Sequence, residues 1–255
     1  MQSNEKNALA VQNQGYMALA NMNSDIMTSE LDGLEMQFNR RKIPSGGGIY
    51  FEVLGEDGEP ETVKEFKAVI VFHHPLNCYY ATKYTGGSNP PDCGSFDGVT
   101  GIDSFGAKHS CKTCKYNQYG SGTDGTSAKA CKNKRRIYLL PEGELFPDLL
   151  SVPTGSLKNF TQYIKTQLSK QRPTNTIVTK FSLKKASNAG GIAYSQCQFA
   201  FDRILTPEEQ TVIQTLTEQV KSYALNVGFD TESSDECLNV NPATGEIMTD
   251  GDVPF

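Results

Sequence analysis

Alternation of apolar and polar positions divides the chain into strands and helices. Ile49, Phe51 and Val53 alternate with Tyr50 and Glu52, the two-residue period of a half-buried strand. Glu56, Asp57 and Gly58 read as a turn. From Phe66 to His74 a β-branched and aromatic run puts Phe66, Ala68, Ile70 and Phe72 on one face, with an extended continuation over Asn77 to Tyr84. A further strand is predicted from Arg135 to Leu140. After Ser156, a candidate N-cap, the period lengthens: Leu157, Phe160, Ile164 and Leu168 form one stripe of a helix reaching about Lys170. Alternation returns in Ile177, Thr179, Phe181 and Leu183, and again in Ala193, Ser195, Cys197, Phe199 and Phe201. Gly190 and Gly191 between them are a hairpin signal. Thr206, Pro207 and Glu209 mark a second helix, with a hydroxyl N-cap, proline at the first helical position and the glutamate of a capping box. Its stripe is Val212, Leu216, Val220 and Tyr223, and it ends near Gly228.

The order strand, strand, strand, helix, strand, strand predicts a mainly β fold with flanking helices, specifically an OB-fold-like barrel. Residues 1–44 are rich in Asn, Gln, Met and Ala and read as a weakly ordered arm, with Ser24 capping a short helix over Asp25 to Leu34. Pro44 to Gly48 marks the boundary. Residues 45–228 are expected to form the core with its C-terminal helix, interrupted by an insertion at about 85–134 between the second and third strands. Residues 229–255 are expected to form a disordered acidic tail.

The insertion changes the picture. Its cysteines are spaced C-x17-C-x2-C-x16-C at Cys93, Cys111, Cys114 and Cys131, and the Cys111–Cys114 pair has the spacing of a metal knuckle. Four thiolates at ~2.3 Å suit tetrahedral Zn²⁺ in a closed, structural site. The glycine-rich surroundings, Gly86 to Gly125, supply little core of their own. A four-cysteine zinc-ribbon module is expected, with His109 beside the knuckle as the alternative to Cys93. Cys78 and Cys197 sit in apolar strands and are expected to be small buried residues, and Cys237 an exposed thiol. Seven cysteines, four of them at metal spacing, argue for a reducing interior rather than a disulfide framework.

Charge is unevenly distributed. The whole chain carries −5, yet Lys108, Lys112, Lys115, Lys129, Lys132, Lys134, Arg135 and Arg136 face only Asp124 between positions 108 and 136. Phe105, Tyr116, Tyr119 and Tyr138 are interleaved. Cations for phosphates beside aromatic faces for bases match what single-stranded nucleic acid requires of a surface. Tyr50 and Tyr79 are read as packing residues of strands. From Asp230 onward seven acids face no lysine or arginine, and the chain closes on Asp250, Gly251, Asp252, Val253, Pro254 and Phe255.

That ending resembles the acidic tip of bacterial single-stranded DNA-binding proteins over Asp252 to Phe255, and departs from it at Gly251, where another aspartate is usual. The resemblance implies that Asp250, Asp252, Val253, Pro254 and Phe255 dock onto replication, recombination or repair enzymes, an apolar pocket taking Phe255 and a cation its carboxylate. The cysteine segment is similar to a set of phage-encoded proteins through Cys93–Gly98, Cys111–Cys114, Asn117–Ser121 and Lys129–Tyr138. The expected protein is therefore a non-catalytic single-stranded DNA-binding protein of phage type. It would act as a monomer or homodimer and recruit partners through its tip, with the tail competing for the basic segment when DNA is absent. A zinc-ribbon adaptor that binds protein is the alternative. A metal-dependent nuclease using His73, His74, Asp97, Asp103 and Asp124 is disfavoured, because adjacent strand histidines point to opposite faces. No apolar run approaches the ~20 residues of a membrane span. The start lacks the basic-then-apolar pattern of a signal peptide, so a cytoplasmic location is expected.

Overall fold

A computed structural model describes residues 15–21, 30, 32, 38–82, 91–122, 127–188 and 190–224. The fold is mainly β, and one strand organises it. Strands β1 (Arg40–Arg41), β2 (Phe51–Leu54) and β3 (Pro60–Val63) lead into β4, which runs from Glu65 to Tyr79. The cysteine segment supplies β5 (Cys93–Ser95), β6 (Thr100–Asp103) and β7 (Lys108–Ser110). The chain then returns through β8 (Lys132–Pro141) and β9 (Asp148–Val152) to helix α1 (Leu157–Leu168). Strands β10 (Ile177–Ser187) and β11 (Ala193–Ile204) and helix α2 (Pro207–Ala224) complete it.

Along one edge β4 pairs with β8, from Ala68 opposite Pro141 to Cys78 opposite Lys132. Its other edge is shared. Glu65 to Val69 take β10, whereas Asn77 to Tyr79 take β5. The body and the cysteine module are thus joined through one continuous strand. The sheet is mixed: β9 pairs antiparallel with β8 and parallel with β1. Among the described residues it does not close into a barrel. The first predicted strand, around Phe51, is not in this sheet; it pairs with β3 and makes one antiparallel bridge from Glu52 to Lys42. The insertion falls between β4 and β8, the second and third of the predicted strands, and these are the first and second long strands of the main sheet.

Both faces of the sheet are covered. Ala68, Ile70, Ile137, Leu139, Leu150 and Phe181 pack beneath α1 through Phe160 and Tyr163. Val69, Val71, Tyr138, Leu140, Leu149 and Val178 pack beneath α2 through Ile213, Val220 and Ala224. A bulge between Ile70 and Phe72 inserts Val71 as an extra residue, so Phe72 lies on the second face, opposite the expected side. Past the bulge, His73 turns toward Phe160 while His74 turns toward Tyr138, so the two histidines do lie on opposite faces. Cys78 and Cys197 are buried, as expected.

Segments of the expected arm belong to this core. Tyr16 is buried under α2, Phe38 meets Tyr138 and Tyr223 edge-on, and Arg41 Nε donates to Asp148 Oδ2 at 2.7 Å. The helix expected over Asp25 to Leu34 and the acidic tail lie outside the described residues, Glu30 and Asp32 apart.

The caps differ in outcome. Ser156 makes no side-chain cap, because its Oγ accepts from Cys197 N–H at 2.8 Å and ties the start of α1 to β11. The capping box of α2 forms: Thr206 N–H donates to Glu209 Oε2 at 2.8 Å and Glu209 N–H to Thr206 Oγ1 at 3.3 Å. Arg203 adds Nη1 and Nη2 to the same carboxylate at 2.7 and 2.9 Å. Thr206→Ala should cost about 1 kcal/mol in urea unfolding. The Arg203 hydrogen bonds hold the Glu209 carboxyl below its ordinary range. Its contribution is therefore complete above the unfolded value of about 4.3 and is lost as pH falls through the depressed folded one. Glu209→Gln should destabilise at pH 7, with the gap to wild type narrowing as the carboxyl is protonated in acid. A gap independent of pH would contradict this role.

Candidate metal centre and nucleic-acid interface

The cysteine module is built from turns. At the β5–β6 turn Asp97 Oδ1 accepts from Val99 and Thr100 N–H, each at 2.7 Å, and Gly98 takes φ +72°, which L side chains avoid. At the β6–β7 turn Asp103 Oδ1 accepts from Phe105 and Ala107 N–H. Beyond β7, Cys111 N–H donates to the Val99 carbonyl at 2.8 Å, which places the cysteine beside β6. The Cys111–Cys114 turn is held by Asn117 Nδ2 on the Cys111 carbonyl at 2.8 Å and Asn117 N–H on the Cys114 carbonyl at 3.0 Å. Cys131 N–H reaches the Tyr116 carbonyl at 2.8 Å, which closes the loop.

These bonds bring all four predicted cysteines onto one cavity of about 600 Å³. Gly101 leaves room at its wall. A Cβ there would lie 3.0 Å from Cys93 Sγ and 3.6 Å from Cys111 Sγ, so both sulfurs approach one point that any side chain would fill. Burial first, then Cys111, Cys114 and Cys93, pushes the Cys131 thiol up to about 11, and burial with Cys111 and Cys114 raises Cys93. Such neighbours favour neutral thiols unless a cation compensates them. Among the described residues no group of three or more His, Cys, Asp or Glu side chains forms a ready coordination shell. The cavity that the four cysteines line is larger than a single ion occupies. His109 lines the same cavity, and its Nε2 is 2.8 Å from Asp103 Oδ2, so it remains the alternative to Cys93 through Nδ1, as a carboxylate commonly orients a ligating histidine.

The predicted nucleic-acid residues divide by burial. Lys108, Lys112, Lys115 and Lys132 are exposed, and Tyr119 is 83% exposed with Lys129 Nζ 5.0 Å from its ring centroid. Tyr116 is half-buried and stacks on Tyr79 at 3.9 Å, with Lys115 Nζ 4.8 Å from its centroid. Lys134 and Arg135 are half-buried. Arg136 and Tyr138 are completely buried and leave the interface. Both project from β8 onto the face covered by α2, where Arg136 sits over Phe96 and Tyr138 packs with Phe38 and Phe72. A ring without a free face cannot stack a base. Phe105, one of the interleaved aromatics, is 94% exposed at the β6–β7 tip and is a stronger stacking candidate.

The carboxylates of the nuclease alternative are occupied in turns, Asp97 and Asp103 as described, while Asp124 lies outside the described residues. The tip from Asp250 to Phe255 also lies outside them. No helix among the described residues is long and apolar enough to cross a membrane. No family model, curated protein or solved structure matches the chain.

Proposed function

We propose that this protein binds single-stranded DNA without catalysis, through a zinc-stapled basic module inserted in an OB-type core. The observation that carries the reading is that Cys93, Cys111, Cys114 and Cys131 line one cavity together with exposed Lys108 and Lys115, with exposed Lys112 in the knuckle between Cys111 and Cys114. The metal would fix the turns that display these lysines and Tyr119. It supplies no reaction, since four protein thiolates leave no open position.

The OB-type architecture finds support in the pairings. Taking β4, β8, β9, β10 and β11 as the five barrel strands, with α1 between the third and fourth, first-to-second, second-to-third, first-to-fourth and fourth-to-fifth pairings are present. Among the described residues the closing pairing of third with fifth is not, and the free edge of β9 is taken by β1. On this assignment the module is the loop between the first two barrel strands, a loop by which OB-folds bind oligonucleotides. The acidic tip would recruit replication, recombination or repair enzymes, and the tail would compete with DNA for the module.

Oligonucleotide binding across a salt series tests the reading. If ~5 phosphates are neutralised, log K should fall against log salt with a slope near −3.5, from the single-strand coefficient. Removing the last ten residues should tighten binding. A flat salt response overturns the proposal. An adaptor that binds protein is favoured by one observation, the exposed Val99, Ile102 and Phe105 along β6 and its turns. It predicts no salt-sensitive oligonucleotide binding at micromolar protein.

A further inference from the structure

A second cleft, of about 510 Å³, lies where the module meets the body. Its floor is apolar, from Leu157, Phe160 and Ile164 of α1, and its rim carries Lys134, Arg135 and Lys165. That volume is within the usual range of small-ligand sites. Arg135 is held in place: its Nε donates to His73 Nδ1 at 3.0 Å, and His73 is packed edge-on against Phe160. Burial, then the Arg135 charge, lowers His73 to about 4, so near neutral pH it is an uncharged acceptor. Asn133 Nδ2 donates to Asn77 Oδ1 at 2.7 Å across the same wall. Asp97 is the acid among the residues lining this cleft, and its Oδ1 is occupied by Ser95, Val99 and Thr100. Asn77 and Asn117 line both this cleft and the cysteine cavity, so the two are neighbours that share a wall.

We propose that the nucleic-acid strand continues from the cysteine module past Asn117 into this cleft, where Arg135 and Lys165 hold its phosphates and α1 receives a sugar or base. The inference rests on the single-strand reading above and adds to it a second contact region, on the body. An apolar floor beside a cationic rim is the pattern a phosphodiester chain requires, and nearness to the module favours a strand over a free anion. His73 is a positioning residue that directs the guanidinium without touching the strand.

The test uses the full chain, a labelled oligo(dT) and a salt series. Arg135→Gln and Lys165→Gln should each weaken binding about fivefold at 0.1 M salt and reduce the magnitude of the slope by ~0.7, the value for one phosphate. His73→Phe should weaken binding and leave the slope unchanged, because the Arg135 charge remains. Binding by both glutamine variants with the affinity and slope of wild type overturns the cleft and leaves the proposed function standing. Absence of wild-type binding overturns the proposed function itself. Lys165 is exposed, so its variant decides the matter even if Arg135→Gln proves unstable.

Discussion

Purified protein should carry a zinc ion, and chelation or Cys114→Ser should lower oligonucleotide affinity by at least about a hundredfold. The size follows from what the metal would hold in place. One stacked base contributes ~1–3 kcal/mol, and each phosphate about fivefold at 0.1 M salt. The module presents Tyr119 and exposed Lys108, Lys112 and Lys115 on turns that bury few large apolar side chains. Its link to the body is narrow: three residues of β4 paired with β5, plus the first pairs of β8. Zinc in small thiolate sites contributes ~10–16 kcal/mol of apparent binding energy, enough to order such a segment. The body has its own two-sided core and should keep its far-ultraviolet circular dichroism while binding is lost. Metal content measured on protein from zinc-supplied cells, together with the affinity of Cys114→Ser, decides the point. Wild-type protein that is free of metal and loses no affinity in Cys114→Ser would remove zinc from the reading.

Local pattern carried much of this molecule. The alternating runs around Phe66, Ile137, Phe181 and Phe199 became the long strands, and Thr206 to Glu209 became the capping box. The four cysteines line one cavity although 17 and 16 residues separate the outer ones from the knuckle pair. Three features escaped. The bulge at Val71 reverses the parity of every later residue in β4, and no local composition announces an extra residue. The second is the covering of both sheet faces. Charge counted along β8 sends Arg136 and Tyr138 to solvent together with the lysines before them. The residues that cover the second face come from α2 and from Tyr16 and Phe38, far away in sequence. Burial imposed by such distant elements leaves no periodic signal within β8 itself. The joining cleft escaped for the same reason, since His73, Arg135 and Lys165 meet only in the folded chain.

Two tyrosines separate the folded reading from the linear one. Tyr138→Ala removes a completely buried ring that contacts Phe38 and Phe72, and should cost ~3–5 kcal/mol. Against a typical net stability of ~5–15 kcal/mol that is a large share, visible as an early urea transition. Whatever protein remains folded should bind oligonucleotide with unchanged affinity and salt slope. Tyr119→Ala should do the reverse. Its ring is almost wholly exposed, so stability should stay within ~0.5 kcal/mol of wild type. Loss of one stacked base should weaken binding by ~1–3 kcal/mol, about five- to 150-fold. Lys129, whose ammonium lies over that ring, would lose its aromatic partner in the same variant, so double substitution with Lys129→Gln should fall short of additivity. The opposite pattern, stable Tyr138→Ala with weakened binding, would return Tyr138 to the interface and require the α2 layer to lift from the sheet when DNA binds.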